Sequence, residues 1–220
     1  MYFKKLKSKK SFISKKQGFT IIELLVVMII STIMMATVVL QSRKWNNRLS
    51  LNTQVYEFVL AVRQAQLYSL GVKEFPGSPA ADKFNIGYGV FIPNSGLQEG
   101  HPLFGHFLFA DMNGNGIFEY GESQQEKVES RPFTRGVRPV LVCYGSLSNC
   151  PTDSANRIRE VHISFLRPSP ASRAVLIRQG GVPVTTQWPI YVFFGLSWEY
   201  GDNTTRRVKI ESNGQISILQ

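Results

Sequence analysis

The chain has 220 residues and a formal net charge of +10. This length suits one ordinary domain with an appendage, and a hydrophobic content of 43% excludes a chain that is disordered throughout. Seven lysines precede Gly18, so the remainder carries only +3, and the overall charge is weak evidence for an acidic partner such as nucleic acid.

Residues 19–40, FTIIELLVVMIISTIMMATVVL, form an apolar segment in which Glu23 is the only charged residue. As a helix the segment spans about 33 Å, enough to cross a bilayer core of about 30 Å. The lysines before it predict a cytoplasmic N-terminus, with residues from 41 onward outside. A cleavable secretory signal has a shorter apolar region followed by a small residue, whereas Gly18 comes first here. The segment therefore predicts a membrane anchor, in which a glutamate is costly and usually functional.

The stretch KKQGFTIIELLVVMI, residues 15–29, resembles the class III signal of type IV prepilins and type II secretion pseudopilins. The family pattern is a basic leader, Gly, Phe, Thr, two apolar residues, Glu and an apolar run. The resemblance implies cleavage after Gly18 by a membrane prepilin peptidase and N-methylation of Phe19. It also implies that Glu23 meets the new amine of a neighbouring subunit. Opposite charges attract strongly at low dielectric, so this pair would favour the correct register of stacked subunits.

Apolar residues continue at helical spacing beyond residue 40, and neither Pro nor Gly interrupts them before Gly71. We therefore predict a basic leader over 1–18 and one helix over 19–70, of which 19–40 is transmembrane. A linker loop over 71–83 and an extracytoplasmic β domain over 84–220 follow.

Short runs rich in Val, Ile, Phe and Tyr, bounded by turn residues, predict the strands of this domain. They are FNIGYGVFI, GHFLFA, VRPVLVCY, RIREVHISFL, RAVLIRQ, WPIYVFFGL, RRVKIES and QISIL. Asn213-Gly214 predicts a two-residue hairpin turn between the last two. The predicted fold class is α+β, with a long helix packed on a C-terminal antiparallel β domain, a pilin-like arrangement.

The two cysteines, Cys143 and Cys150, flank a loop with turn-forming residues in VCYGSLSNCP. In an exported domain this spacing favours a disulfide over two free thiols. A metal site is less favoured, because two cysteines are half of a zinc site and no histidine lies nearby in sequence.

Residues 111–122, DMNGNGIFEYGE, fit the calcium-loop pattern D-x-[DN]-x-[DN]-G-x5-E. The candidate ligands are Asp111, Asn113, Asn115, the Ile117 carbonyl, Glu119 and Glu122. Two of the short ligands are neutral, which predicts weak binding of Ca²⁺. The flanking sequences resemble strands and not the helices of an EF-hand. The favoured interpretation is therefore a hairpin loop that uses Asn and Gly only as turn residues, and the calcium site is the alternative.

No serine elbow, phosphate loop, zinc pattern or spaced carboxylate pair occurs with supporting context, and we predict that the chain is not an enzyme. His101, His106 and His162 are scattered, and the last two fall in predicted strands. No cofactor is predicted apart from the possible Ca²⁺.

The chain has a helical segment AVRQAQ, a strand GYGVFI, an acidic loop rich in Gly and Asn, and a final pair of strands. This order of elements resembles the GspH/FimT group of minor pseudopilins and minor pilins. This resemblance implies a minor structural subunit of a type II secretion pseudopilus or type IV pilus-like fibre, with a role in assembly at or near the tip. Its partners would be prepilin peptidase, other pilin subunits and the membrane.

A second function implied by the resemblance is DNA binding during uptake, for which the family uses a GRxR-like motif near the C-terminus. Here the matching place reads NGQIS, with Gln215 and Ser217 where arginines would stand. Arg206 and Arg207 could still contribute to a basic patch, but nucleic acid is not the favoured partner.

Overall fold

The computed structural model describes residues 18–71, 73–76, 86–94, 104–119, 126–151, 156–166, 169, 171–196 and 205–219. The predicted leader, most of the predicted linker, His101 and Glu122 lie outside these ranges. The chain divides into two compact units, Met1–Lys44 and Trp45–Gln220, which are described separately here.

Helix α1 comprises Ile21–Leu70 and ends where the Gly71 amide donates to the Leu67 carbonyl at 2.7 Å. In the first unit the side chains of its apolar residues are exposed on all sides. Hydroxyl groups within this stretch donate to carbonyls of the same helix, as Ser31 does to Val27 at 2.7 Å. Each polar group that forms its hydrogen bond within the helix lowers the free-energy cost of placing the helix in lipid. By length and composition, α1 could cross a membrane.

The second half of α1 has a buried face, as its amphipathic sequence predicts. Leu51, Val55, Phe58, Val62 and Ala65 are each at most 2% exposed and recur every three or four residues. They belong to one hydrophobic cluster with residues from the strands.

The strands form two antiparallel sheets, which confirms the predicted α+β architecture. In chain order they are β1 Gly87–Pro93, β2 Gly105–Asp111, β3 Lys127–Pro132, β4 Val137–Tyr144, β5 Ile158–Phe165, β6 Ser172–Arg178, β7 Pro183–Val184, β8 Ile190–Leu196, β9 Thr205–Ile210 and β10 Ile216–Leu219. The first sheet has the order β3-β2-β1-β5-β6-β7, and the second has the order β10-β9-β8-β4. The short strand β7 was not predicted from the sequence.

The main core combines α1 with one face of each sheet. Tyr88 and Val90 contribute from the first sheet, and Phe194 and Val208 contribute from the second. The rings of Phe58 and Phe194 lie 5.2 Å apart, which links the helix directly to the second sheet. Within each strand, the side chains of the residues next to these core residues lie on the opposite face of the sheet, as strand geometry requires.

The predicted two-residue turn at Asn213-Gly214 is wrong. The Glu211 amide donates to the Gln215 carbonyl at 2.9 Å, so the hairpin closes over three residues, 212–214. A two-residue type I′ turn needs positive φ at both central residues, but only Gly214 has it, at 82°. Asn213 instead accepts a hydrogen bond from the Gln215 amide through Oδ1 at 2.9 Å. This side-chain bond stabilises the longer loop.

The structure joins Cys143, in β4, to Cys150 in a disulfide, with their Cα atoms 4.6 Å apart. A short 3-10 helix, Leu147–Asn149, lies between them and is capped by Ser146, whose side chain accepts from the Ser148 amide. This is the pairing that the sequence predicts for an exported domain.

Candidate functional site

The N-terminal signal lies at the first turn of α1. Thr20 precedes the first helical residue, and its Oγ1 accepts a hydrogen bond from the Glu23 amide at 3.3 Å. In return, the Thr20 amide donates to Glu23 Oε2 at 3.0 Å, and the Thr20 hydroxyl donates to the same oxygen at 2.9 Å. This reciprocal arrangement is a capping box, which satisfies amides that have no partner inside the helix.

Sequence reasoning predicted a role for Glu23 but missed Thr20. The signal was present, because T-x-x-E before an apolar run is the sequence pattern of a capping box. The structure therefore gives Glu23 a local partner within its own chain, at the helix end where the macrodipole favours negative charge.

The predicted scissile bond, Gly18–Phe19, lies outside the helix. Apart from its neighbours in the chain, none of the described residues has a heavy atom within 4 Å of the place where a Cβ would stand on Gly18, and Phe19 is 88% exposed. Cleavage here would create a new amino group four residues before Glu23. The structure thus brings Gly18, Phe19 and Glu23 together at one accessible helix end.

In the second unit, α1 also carries an exposed apolar face, here called the outer stripe. Its members are 58–72% exposed and recur at intervals of four and seven residues, which places them on the side opposite the buried face. They are Trp45, Leu49, Tyr56, Leu60 and Leu67. Large apolar side chains exposed along one side of a helix are candidates for an interaction site.

The loop after β2 folds back over the first sheet. Phe118 is 3% exposed and forms an aromatic cluster with Phe91, Phe107 and Phe109 on the sheet face opposite the main core. Its ring centroid lies 5.2 Å from that of Phe91. The Phe118 amide donates to His162 Nδ1 at 2.9 Å, and this hydrogen bond connects the loop to β5.

Two buried carboxylates hold the backbone of this loop. Asp111 Oδ2 accepts from the Gly116 amide at 2.9 Å, and Glu126 accepts from the amides of Met112 and Glu119 at 3.2 and 3.1 Å. Burial raises the pKa of both carboxyl groups. Sequence reasoning named Asp111 but missed Glu126, which follows the calcium-loop pattern by four residues. Among the described residues, no group of three or more His, Cys, Asp or Glu side chains is placed to hold a metal ion.

His106 and His162 are both buried strand residues, as predicted. His106, in β2, is 1% exposed, and its ring lies 5.9 Å from that of Phe58 and 5.7 Å from that of Phe133. Neither of its ring nitrogens has a hydrogen-bond partner in the part of the chain that the structure describes. Burial, reinforced by Arg131 and opposed by Glu129, lowers the pKa of His106 to about 4.

We expect His106 to make folding pH-dependent. A base whose folded pKa lies below its unfolded value of 6.5 is protonated more readily in the unfolded chain, so stability is lost as the pH falls from 6.5 towards 4. Between pH 7.5 and pH 5 this residue should lower the free energy of unfolding by about 2 kcal/mol. Urea unfolding of wild type and His106→Phe at both pH values measures the effect.

Asp111 and Glu126 have raised pKa values, so they affect stability in the opposite direction as the pH falls. Both groups are present in wild type and in His106→Phe, so the difference between the two proteins isolates His106. A pH-dependence that is identical in wild type and His106→Phe would contradict the expectation.

Arg206 and Arg207, adjacent in β9, point to opposite faces of the second sheet. Arg206 Nε donates to Asn52 Oδ1 on α1 at 3.0 Å, whereas the Arg207 guanidinium lies 5.9 Å from the ring centroid of Phe193. The structure therefore does not bring these two arginines into one basic patch.

The family model described as the prokaryotic N-terminal methylation motif matches residues 13–39. The matched range contains Gly18, Phe19, the capping box and nearly all of the apolar segment. No curated protein and no solved structure matches the chain. The motif supports a subunit of the type IV pilin-like class, and it implies processing by prepilin peptidase.

Proposed function

We propose that this chain is a minor structural subunit of an extracytoplasmic helical fibre, either a type II secretion pseudopilus or a type IV pilus-like fibre, with a role in starting assembly at or near the tip. The observation that carries the proposal is the N-terminal methylation motif over residues 13–39 at the start of a long apolar helix. The packing of that helix on antiparallel sheets agrees with a pilin-like subunit.

In this proposal the first step is processing of the anchored precursor. Prepilin peptidase cleaves after Gly18, and Phe19 then carries a methylated amino group. The leader, with its seven lysines, stays in the cytoplasm, and residues from 41 onward are extracytoplasmic. The disulfide between Cys143 and Cys150 agrees with an oxidising compartment.

The second step is docking of the processed helix into a growing bundle. Glu23 of one subunit pairs with the Phe19 amine of a neighbour, because stacking with a small axial offset brings helix ends close together. The capping box already holds the Glu23 carboxylate at the helix end. A buried charge without a partner is expensive, so a wrong register is disfavoured.

The outer stripe supplies a second contact for the same helix. Its side chains, such as Tyr56 and Leu60, are each 60% exposed in the isolated chain. Removing apolar area from water contributes about 25 cal/mol per Å². We therefore propose that helices of neighbouring subunits cover the stripe in the fibre, while the sheets face outward.

Mass spectrometry of fibres sheared from cells tests the processing step. We expect an N-terminal peptide that begins at Phe19 with a methylated amine, and its absence after Gly18→Val, which places a branched side chain at the cleavage site. Gln17→Asn is the matched control and should be processed normally. An intact leader in fibres would overturn the class of function proposed.

The same preparation distinguishes the two kinds of fibre. Co-purification with pseudopilins and secretion components supports a pseudopilus that acts in protein export. Co-purification with a major pilin and retraction-linked proteins supports a pilus subunit.

A further inference from the structure

Asp111 is the last residue of β2, and one oxygen of its carboxylate has no hydrogen bond to any residue that the structure describes. The residue is 2% exposed, and its Oδ2 accepts from the Gly116 amide at 2.9 Å, which directs the carboxylate across the loop. The other oxygen, Oδ1, is buried, and no group within the described ranges 104–119 and 126–151 or elsewhere in the described chain donates a hydrogen bond to it. Burial raises the pKa of this carboxyl group, although the nearby amides of Gly114 and Asn115 and the charge of Arg173 also favour its ionised form. A cation bound at Oδ1 would offset the remaining cost of burying an oxygen that has no hydrogen bond.

Two amide side chains at alternate positions of the same loop have a fixed orientation. The side-chain nitrogens of Asn113 and Asn115 both donate to Glu119 Oε1, each at 3.0 Å. Asn113 Oδ1 accepts from the Asn115 amide at 3.0 Å, and Asn115 Oδ1 accepts from the Ile117 amide at 2.7 Å. An amide oxygen has two lone pairs, so each Oδ1 keeps a second one beyond these bonds.

We propose that this loop binds a divalent cation of the Ca²⁺ class through Asp111 Oδ1 and the Oδ1 atoms of Asn113 and Asn115. Hard carboxylate and amide oxygens suit Ca²⁺, which accepts a variable coordination geometry, whereas Mg²⁺ requires a nearly ideal octahedron. Such a site does not need three acidic or histidine side chains, since amide oxygens supply part of the coordination.

The charges around the loop set the expected affinity. Glu119 and Glu126 add negative charge near the loop, but Arg173 donates to the Gly114 carbonyl at 2.9 Å and offsets part of it. With one carboxylate among the three side-chain ligands, we expect a Kd of about 10⁻⁴ to 10⁻³ M, the range of extracellular calcium modules.

Cation binding should be coupled to folding through Phe118. The same loop places Phe118 in the aromatic cluster and donates its amide to His162. A cation that fixes the loop backbone therefore also stabilises the packing of Phe118 on the first sheet. Because the unfolded chain lacks the site, the ion should stabilise the folded protein by mass action.

The test uses the full chain in detergent micelles, stripped of metal with EDTA and then desalted. Adding 10 mM CaCl₂, a concentration set by the experiment, should raise the unfolding temperature by about 3–11 °C. Titration calorimetry with CaCl₂ should give a Kd in the stated range. MgCl₂ at the same concentration should produce a smaller rise.

Asp111→Asn removes the charge but retains an acceptor for the Gly116 amide, and it should abolish the calcium-dependent rise. Asn113→Ala alters an exposed residue and should weaken binding at least about 5-fold, which tests the site even if the first variant folds poorly. Glu211→Gln, in the hairpin of the second sheet, is the matched control and should respond as wild type does. The absence of a calcium effect in wild type, or an equal effect in Asp111→Asn, would overturn the proposal.

Discussion

Glu23→Gln should lower incorporation of the processed chain into fibres by about 100-fold. Glutamine can still accept the Thr20 amide hydrogen bond of the capping box, so the helix end keeps its local structure. What is lost is the negative charge proposed to pair with the Phe19 amine of a neighbour. Removing one partner of a buried ion pair costs about 3–5 kcal/mol, which exceeds a factor of 100 in equilibrium. Quantitative immunoblotting of sheared fibres and of the membrane fraction measures the ratio.

The control variant is Thr20→Ala, which has the opposite defect. It removes the side chain that caps the Glu23 amide but keeps the Glu23 charge. Loss of an N-cap costs about 1 kcal/mol, so we expect at most about a 5-fold decrease in incorporation. Both variants should still be cleaved after Gly18. Equal decreases in the two variants would mean that Glu23 serves only as a cap, and normal incorporation of Glu23→Gln would remove it from assembly altogether.

Phe118→Ala should lower the free energy of unfolding of the globular unit by about 3–5 kcal/mol, the usual cost of deleting a buried aromatic ring. Phe118 is 3% exposed, and its ring centroid lies 5.8 Å from that of Phe107 and 5.6 Å from that of Phe109. Its removal would leave a cavity over the first sheet and expose the remaining rings. Urea unfolding of the full chain in detergent, followed by near-ultraviolet circular dichroism, measures the loss.

Phe118→Leu provides the comparison, because it keeps most of the apolar volume and should lose about 1–1.5 kcal/mol. Tyr56→Ala, on the exposed side of α1, should change the free energy of unfolding by less than about 0.5 kcal/mol. If Phe118→Ala unfolds at the wild-type urea concentration, the loop does not cover the sheet in solution.

The Phe118→Ala variant also tests whether calcium stabilises the fold through Phe118. If calcium stabilises the fold by holding Phe118 in place, Phe118→Ala should retain calcium binding but show a smaller calcium-dependent rise in unfolding temperature. Binding and stabilisation would then separate, because Asp111 remains while the aromatic contact is gone.

Features that depend on residues close together along the chain could be predicted from the sequence alone. Gly18, Phe19 and Glu23 form a short linear motif, and the length of α1 follows from an apolar pattern uninterrupted before Gly71. Strand positions follow from alternating apolar residues between turn formers, and the observed β4 coincides with the predicted VRPVLVCY. Local periodicity and motif spacing are enough for these inferences.

Contacts between residues far apart in the chain could not be predicted from the sequence and are seen only in the folded domain. The strand order β3-β2-β1-β5 sets Glu126 against the loop amides and brings His162 of β5 to the Phe118 amide. Strand alternation separates Arg206 from Arg207, although they are neighbours in sequence. Periodicity shows that a residue lies on a face but not which strand lies beside it, because strand pairing depends on the packing of the whole domain.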